Sequence, residues 1–409
     1  MTQAAQRRAL WLLGAAYAIL GVNVSAVLVY GPLYIRQLEP ERADLWISLL
    51  LALPSLTGFI GHNLWGVVYD RGGTPGRFAL LSLVSEALLF ALLLTTRSAA
   101  ALVGLATVFS LFSTALFPAA KAWSTLVRPD GKGAVLGKLH AAESVGWAIG
   151  ALAGGFASMS TADLLSVVRG LFWFCLLGSA ATAVLVAAAF PRVSAPAAPP
   201  VAHAVVSGLR ALYGRTDLRK LSAFLFIVTS ANVAFFTYIS TYLCSYLGGS
   251  ATLLSASMAG ATVGGTLAFP IFGRLADTLG RRALLQGALA AYVLFYGTLC
   301  MVTDPVTLAW LYAIPIYPAI RIATNAWLAD LTEARERASG MGLLEGVGAL
   351  ASVAGPIVGW LFVSRLGHGV LPLVPLVLLL PGLAVLFLMD RPPVAASVGR
   401  VREPVDVRV

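Results

Sequence analysis

Twelve apolar runs, each long enough to cross a lipid bilayer as a helix, follow one another along the chain. A hydrocarbon core about 30 Å thick needs about 20 helical residues, because each residue advances a helix by about 1.5 Å. The runs therefore predict twelve membrane spans. We number them 1 to 12 and place them at residues 9–35, 44–69, 78–96, 99–127, 134–158, 165–190, 219–246, 251–273, 282–302, 306–331, 338–363 and 368–389.

The composition agrees with a chain that folds in lipid. Of its 409 residues, 59% are hydrophobic and only 11% are charged, and the mean hydropathy is +0.86. Soluble domains contain about 25% charged residues. We therefore exclude a soluble globule and expect an all-α membrane protein. The first apolar run continues to about Ile35, which is too long for a secretory signal and predicts a retained helix.

The basic residues predict the orientation of the chain in the membrane. Of the 28 Lys and Arg residues, 21 lie at the N-terminus, in the tail or in alternate loops, and five lie in the opposite loops. Basic residues accumulate on the cytoplasmic side, so we expect both termini to be cytoplasmic, in the inner (plasma) membrane of a prokaryote. The net charge of +10 then reflects topology, and we expect no nucleic-acid partner.

The longest connection, residues 191–218, is rich in proline and alanine, a composition typical of a linker. It separates two bundles of six spans, residues 1–190 and 219–390, and a polar tail follows at 391–409. A basic stretch around Val206 to Arg215 could lie on the inner leaflet or remain solvated.

Two motifs in the first half recur in the second, which indicates a duplicated six-helix unit. The pattern G-x-x-x-D-x-x-G with an adjacent arginine follows spans 2 and 8. Its residues are Gly66, Asp70, Arg71, Gly73 and Arg77 in the first copy, and Gly273, Asp277, Gly280, Arg281 and Arg282 in the second.

A stripe of small residues recurs in spans 5 and 11 at an offset of 205 positions. Small residues at every fourth position lie on one helix face and let helices approach closely in lipid. The stripe residues are Gly146, Gly150 and Gly154 in span 5, and Ala351, Gly355, Pro356 and Gly359 in span 11.

These repeats, the twelve spans and the central linker resemble the major facilitator superfamily over essentially the whole chain. The resemblance implies two pseudo-symmetric bundles in which spans 5 and 11 face the opposite half, so the two stripes would be the surfaces along which the halves rock. The pattern in span 5 is similar to that of drug and metabolite proton antiporters, although Ala151 replaces a proline of that branch and residues 106–112 contain no ionisable group.

Asp70 ends span 2, where a carboxylate can stabilise the positive end of a neighbouring helix. The resemblance implies that this helix is span 11, and we expect Arg71 or Arg77 to hold the carboxylate. In the second half we expect Asp277 and Arg281 or Arg282 to pair with Asp330. The alternative is a charged turn that only fixes topology.

Ionisable residues inside the spans are functional candidates, because an unpaired charge in lipid costs several kcal/mol. Arg321 in span 10 is the best candidate for contact with a substrate carboxylate or phosphate, and Lys121 in span 4 is a second. Glu143, Glu345 and His62 could bind and release protons. Intramembrane ion pairs between these carboxylates and the two cations are the alternative reading.

Further polar side chains are expected to line a central cavity, although core packing explains them nearly as well. They are Asn23, Tyr30, Tyr34, Asn232, Tyr238 and Asn325. His140 and Glu143 are three residues apart on one helix face, but two ligands do not make a metal site.

We expect a secondary transporter that moves a small organic solute by alternating access, by proton-coupled export. The alternative is an organic-anion carrier or an uncoupled facilitator with Arg321 as the substrate anchor. An ATP-driven pump is disfavoured because no P-loop or nucleotide-binding domain is evident, and an intramembrane enzyme because no catalytic cluster is. We expect a monomer that uses no cofactor.

Overall fold

The computed structural model describes residues 2–160, 164–191, 210 and 212–389. Its regular elements are all helical over these residues. Spans 2, 3, 5 and 6 are single helices in the first half, and spans 8, 9, 11 and 12 are single helices in the second. Their bounds are Ala43–Asp70, Pro75–Thr95, Lys132–Ser160, Leu164–Ala189, Ala251–Thr278, Arg281–Leu299, Arg337–Leu366 and Leu373–Leu388.

The other four spans consist of two or three helical pieces. Spans 1 and 7 change to a π-helical turn near their second end, and spans 4 and 10 are broken in the middle. The pieces are Gln3–Ser25, Ala26–Tyr30 and Gly31–Leu38 in span 1, Ala99–Ser113 and Leu116–Val127 in span 4, Thr216–Ser240 and Thr241–Tyr246 in span 7, and Pro305–Tyr312 and Tyr317–Leu331 in span 10.

The membrane character and the all-helical fold are confirmed. Ten of the spans are long and apolar enough to cross a membrane. Lys132–Ser160 and Arg281–Leu299, helices of 29 and 19 residues at the predicted positions of spans 5 and 9, complete the set of twelve. Most of the linker, residues 192–209 and 211, and the tail from 390 onward lie outside the described residues, so the domain boundaries stay a prediction.

The breaks in spans 4 and 10 have a common local cause and position two charges. Pro118 and Pro318 lie in the first turn of the second piece of each span, where a missing N–H group is tolerated. Lys121 and Arg321 follow about one turn later. Because each helical piece starts in the middle of its span, both charges lie near the middle of the protein.

The two halves meet through spans 2 and 11 and through spans 5 and 8. Spans 2, 5, 8 and 11 each have one end, near residues 70, 132, 278 and 337, at the same surface of the protein. We call this surface the linker side, because span 7 begins there as well, at residue 216, directly after the linker. Glycines allow the close approach: a Cβ on Gly66 or Gly342 would meet the backbone of the partner span, as would one on Gly137 or Gly273.

The predicted contacts of the glycine stripes are wrong. A Cβ on Gly146 or Gly150 would meet span 1 at Ala18 or Ser25, and one on Gly355 or Gly359 would meet span 7. Each stripe thus packs inside its own half, because a second face of spans 5 and 11 is the one that meets the opposite half. The surroundings of Gly154 lie outside the described residues.

Candidate functional site

The carboxylate of Asp70 closes the linker side between spans 2 and 11. It accepts hydrogen bonds from the backbone N–H groups of Ala338 and Ser339, at 3.1 and 2.7 Å, and from the Ser339 hydroxyl at 2.6 Å. These N–H groups belong to the first turn of span 11, where no backbone carbonyl of the helix can accept them. We call this contact the first latch.

The first latch contains no ion pair among the described residues. Neither Arg71 nor Arg77 forms an ion pair with Asp70 there, which corrects our expectation, and one terminal nitrogen of Arg71 is buried without a hydrogen-bond partner. The reason is geometric: the helix end and Ser339 already occupy both carboxylate oxygens.

A second latch has the same backbone geometry and joins spans 8 and 5. Asp277 accepts hydrogen bonds from the N–H groups of Gly133 and Ala134, at 2.9 and 2.8 Å. These two residues lie 205 positions before Ala338 and Ser339. The contact with span 5 was not predicted, although the offset between the repeats would have revealed it.

Charged side chains surround the second latch, as expected for Asp277, Arg281 and Asp330. Arg281 lies 2.9 Å from Asp277 and 3.1 Å from Asp330. Lys132 of the first half also binds Asp330, at 2.8 Å. The second latch therefore has two links across the halves, one through Asp277 and one through Lys132. No described ion pair involves Arg282.

Four charged side chains from both halves meet in the middle of the protein. Glu345 forms ion pairs with Lys121 and with Arg321, the latter at 3.2 Å. Arg321 also lies 3.9 Å from Glu143. The four charges sum to zero, and the alternative reading, in which the buried carboxylates pair with the two cations, describes their arrangement. We call these four residues the central network.

Polar side chains around the central network form hydrogen bonds with its members. The Arg321 guanidinium donates to the Tyr317 hydroxyl at 3.1 Å. The Asn325 side chain accepts from Lys121 at 3.4 Å and donates to the Arg321 carbonyl at 2.7 Å. His140 Nδ1 lies 3.0 Å from a Glu143 oxygen.

The members of the network differ in their access to solvent. The Lys121 side chain is fully buried and that of Glu345 is 12% exposed, whereas Arg321 and Glu143 keep 23% and 27%. Among the described residues, the hydrogen bond between Ser144 and Thr266, at 2.8 Å, marks the limit of the polar contacts between the halves. The other cross-half hydrogen bonds and ion pairs lie at the same depth in the protein or nearer to the linker side. The structure is therefore closed on the linker side, and Arg321 and Glu143 are the most exposed charges of the central network.

Several residues that we expected to line a central cavity lie inside one half instead, and that expectation is corrected. Asn23 is buried inside the first half, where it donates to Ser179 at 2.9 Å. The buried Tyr34 donates to the Thr96 carbonyl at 3.0 Å. Asn232 accepts from Tyr296 of span 9 at 2.8 Å. Each of these side chains stabilises its own half.

Tyr30 and Tyr238 bind equivalent positions in the two halves. The Tyr30 hydroxyl donates to the carbonyl of Ala151, and the Tyr238 hydroxyl to that of Pro356 at 3.3 Å. Ala151 and Pro356 are 205 positions apart. The two tyrosines thus brace the helices that carry the glycine stripes and do not join the network.

His62 is buried on the linker side of the network, with its ring edge-on to Phe117 at 5.6 Å. Its Nδ1 has no hydrogen-bond partner in the described part of the chain. His140 was not predicted as a site residue. The spacing of three residues from Glu143 was the available signal, and it became useful only once Glu143 was known to contact Arg321.

Comparison with known proteins decides the family. Residues 13–320 match the family model of the Major Facilitator Superfamily. The chain belongs to this superfamily. It is therefore a membrane transporter and not an enzyme, as the sequence motifs predicted.

Curated relatives of this superfamily member include a probable nitrate/nitrite transporter, NarK2, of Mycobacterium tuberculosis, which is 26% identical over 356 residues, 82% of this chain and 85% of that protein. The tetracycline resistance protein, class C, of Escherichia coli is 37% identical over 100 residues. That match spans 23% of this chain and only 24% of the relative.

Two solved structures share the fold. The human organic anion transporter MFSD10 (TETRAN) superposes with a TM-score of 0.79 at 16% identity, over 94% of this chain and 100% of the other. The Escherichia coli fucose:proton symporter FucP gives a TM-score of 0.71 at 15% identity, over 93% and 98%. At these identities the likeness concerns the fold alone.

Proposed function

We propose that the protein is a secondary transporter that moves a small organic anion together with a proton by alternating access. The observation that carries this proposal is the Arg321 guanidinium, which is partly exposed in the middle of the protein and is held loosely, at 3.9 Å, by Glu143. A planar guanidinium binds carboxylates and other oxyanions in a bidentate geometry. An entering anion can take the place of Glu143.

The charge of the network supports coupling to a proton. Because two cations balance two carboxylates, an anion that enters alone leaves one uncompensated negative charge in a poorly hydrated place. Protonation of Glu143 removes that charge. Glu345 keeps both cations as partners, so we assign the coupling proton to Glu143 and the role of fixed counter-charge to Glu345.

The same count disfavours exchange of a cation for protons in this site. Such exchange requires a protonated carboxyl in the empty carrier, whereas both carboxylates of the network lie beside cations. The match to a nitrate/nitrite transporter over most of the chain also favours an anion. Symport with protons drives uptake when the proton gradient points inward.

A second candidate is proton-coupled export of the drug type, the direction that the sequence favoured. Its support is the 37% match to a tetracycline resistance protein over 100 residues together with the span 5 glycine pattern. In that case Glu143 would contact a lipophilic cation.

We propose further that the halves 1–190 and 219–390 are the moving bodies, that the two latches hold the linker side shut, and that the linker side is cytoplasmic. The accumulation of basic residues on this side supports the orientation. An impermeant maleimide applied to whole cells tests it in a Cys300→Ser background, because the native Cys300 is exposed. Arg97→Cys on the opposite side should react and Arg335→Cys should not. We expect a monomer in the plasma membrane.

The test of function is thermal stabilisation of the purified protein by benzenesulfonate, benzoate, glucose and tetraphenylphosphonium, since a ligand stabilises the folded state in proportion to its occupancy. The proposal expects stabilisation by the two anions that disappears in Arg321→Gln and persists in Arg365→Gln, a control on the opposite side. Stabilisation by tetraphenylphosphonium alone would favour drug export. Anion binding without proton uptake would indicate an uncoupled facilitator.

A further inference from the structure

His140 is held between the central network and the contact of spans 5 and 8. Its Nδ1 lies 3.0 Å from Glu143 Oε2, and its side chain is only 1% exposed. The other ring nitrogen, Nε2, is buried without a hydrogen-bond partner in the described residues. A buried polar atom without a partner costs about 1–3 kcal/mol, so this orientation has no explanation in packing alone.

The ring is covered by a residue of the opposite half. Phe269 of span 8 stacks on it, with ring centroids 5.3 Å apart and an angle of 26°. One turn closer to the linker side, Gly137 of span 5 lies against the backbone carbonyl of the same Phe269. When spans 5 and 8 separate on the linker side, the contact at Gly137 and the cover of the imidazole are lost together.

We propose that His140 is a proton relay that connects Glu143 to the linker side and opens when Phe269 withdraws. This inference rests on the proposed proton-coupled transport. Glu143 receives a proton from the exposed side and becomes the neutral acid, which donates it from Oε2 to His140 Nδ1. The resulting imidazolium releases the proton on Nε2 to the linker side. The neutral ring that remains carries its hydrogen on Nδ1. Exchange with water on the open linker side, in which Nε2 takes up one proton and Nδ1 releases one, restores the Nε2–H tautomer that can accept the next proton from Glu143.

The groups around His140 suit this transfer. Besides Glu143 on its own helix, Lys121 from span 4, Arg321 from span 10 and Glu345 from span 11 act on the ring electrostatically. Tyr17 of span 1 meets the ring edge-on at 6.3 Å, and span 8 contributes only the apolar Phe269. The ring thus faces the charges of the network on one side and an apolar ring of span 8 on the other.

Carbethoxylation by diethyl pyrocarbonate tests the opening without any substrate. In the full chain in nanodiscs, His140 should react slowly relative to His368, and at least tenfold faster in Asp70→Asn/Asp277→Asn. In a Cys244→Ser/Cys300→Ser background, which removes the accessible native thiols, a maleimide on the Ala338→Cys variant reports that the latches have parted. The buried native Cys175 must stay unreactive, which shows that the protein is folded. A His140 that stays protected while the thiol introduced at position 338 reacts overturns the relay.

Proton flux tests the transfer itself. Proteoliposomes with trapped pyranine receive an inward gradient of benzenesulfonate, which is permanently ionised and carries no proton across the lipid. We expect acidification by the wild type, a loss of at least tenfold in His140→Gln, and exchange of labelled benzenesulfonate within threefold of wild type in that variant. Acidification by His140→Gln at the wild-type rate overturns the relay. A wild type that binds and moves no benzenesulfonate instead refutes the proposed function, and carbethoxylation then decides about His140.

Discussion

The two latches share their backbone geometry and differ in their side chains. In both, an aspartate at the end of one span accepts from the second and third N–H groups of a helix in the other half. Around Asp70 the further hydrogen-bond donor among the described residues is the Ser339 hydroxyl, whereas Glu336 and Arg337 act on the carboxylate without an ion pair or hydrogen bond. Around Asp277 there are three charged side chains, Arg281, Asp330 and Lys132.

This difference assigns the latches different strengths. The first depends on one carboxylate that forms no ion pair in the described part of the chain, so its hydrogen bonds to the helix end and to Ser339 carry the contact. At the second, Arg281 neutralises part of the Asp277 charge, while Lys132 and Asp330 add an independent link that is partly exposed. The backbone contact is therefore common to both repeats, whereas among the described residues only the second latch has an additional ion pair across the halves.

Asp70→Asn should have the largest effect. The change weakens two hydrogen bonds to a charged acceptor, each worth about 1.5 kcal/mol, so we expect the open population of the linker side to rise about 100-fold. Spin labels at the exposed Arg77 and Ala334 measure it by double electron–electron resonance. Transport should slow while thermal stability changes little. Wild-type distances and rates in this variant would refute the first latch.

Asp277→Asn should open the linker side less, about tenfold, because the pair of Lys132 and Asp330 persists. Labels at the exposed Asp130 and Thr278 report this latch. The double variant Asp277→Asn/Lys132→Met should approach the effect of Asp70→Asn. If the double variant behaves as Asp277→Asn alone, Lys132 contributes no second link.

The two latches should also differ in their response to salt, although this effect is smaller than that of the substitutions. Exposed ion pairs weaken as ionic strength rises, and the side chains of Lys132 and Asp330 are 15% and 30% exposed. Raising salt from 0.05 to about 0.5 M should therefore increase the open population about twofold to threefold in Asp277→Asn. The Asp277→Asn/Lys132→Met variant is the control and should show little response.

The smallest difference is expected for the glycines that the latches share. Gly137→Ala and Gly342→Ala each place a Cβ against backbone of the other half at equivalent positions. They should open the linker side equally, within about twofold, since only the side chains of the latches differ. Gly150→Ala, which faces span 1, should lower the melting temperature and leave the label distances unchanged. A large inequality between Gly137→Ala and Gly342→Ala would place the difference in the backbone.

Much of the fold could be predicted because the thickness of the bilayer sets the length of each apolar segment, which can be read directly along the sequence. Run length located the twelve spans, and the repeats located Asp70 and Asp277 at the ends of their helices. Periodicity defines which residues share a helix face but not which neighbour that face meets. For this reason Gly146 and Gly355 were correctly grouped and assigned to the wrong partners.

The central network was only partly predictable. Lys121, Glu143, Arg321 and Glu345 stand out because charges are rare in lipid, and pairing was among the readings considered. We assigned Asn23, Tyr34 and Asn232 to the wrong surroundings. A polar side chain within an apolar span looks the same in the sequence whether it forms a hydrogen bond within its own half or lines a cavity. The surroundings of His140 could not be predicted from the sequence, because the Phe269 ring that covers it is 129 positions away.

The zero sum of the central charges has an electrical consequence. Moving one elementary charge through the membrane potential changes the energy by about 2.3 kcal/mol per 100 mV. A carrier whose core holds two cations and two carboxylates moves no net charge when it returns empty. We therefore expect membrane voltage to leave the return step unchanged, so that the chemical gradients alone set the pace of the cycle.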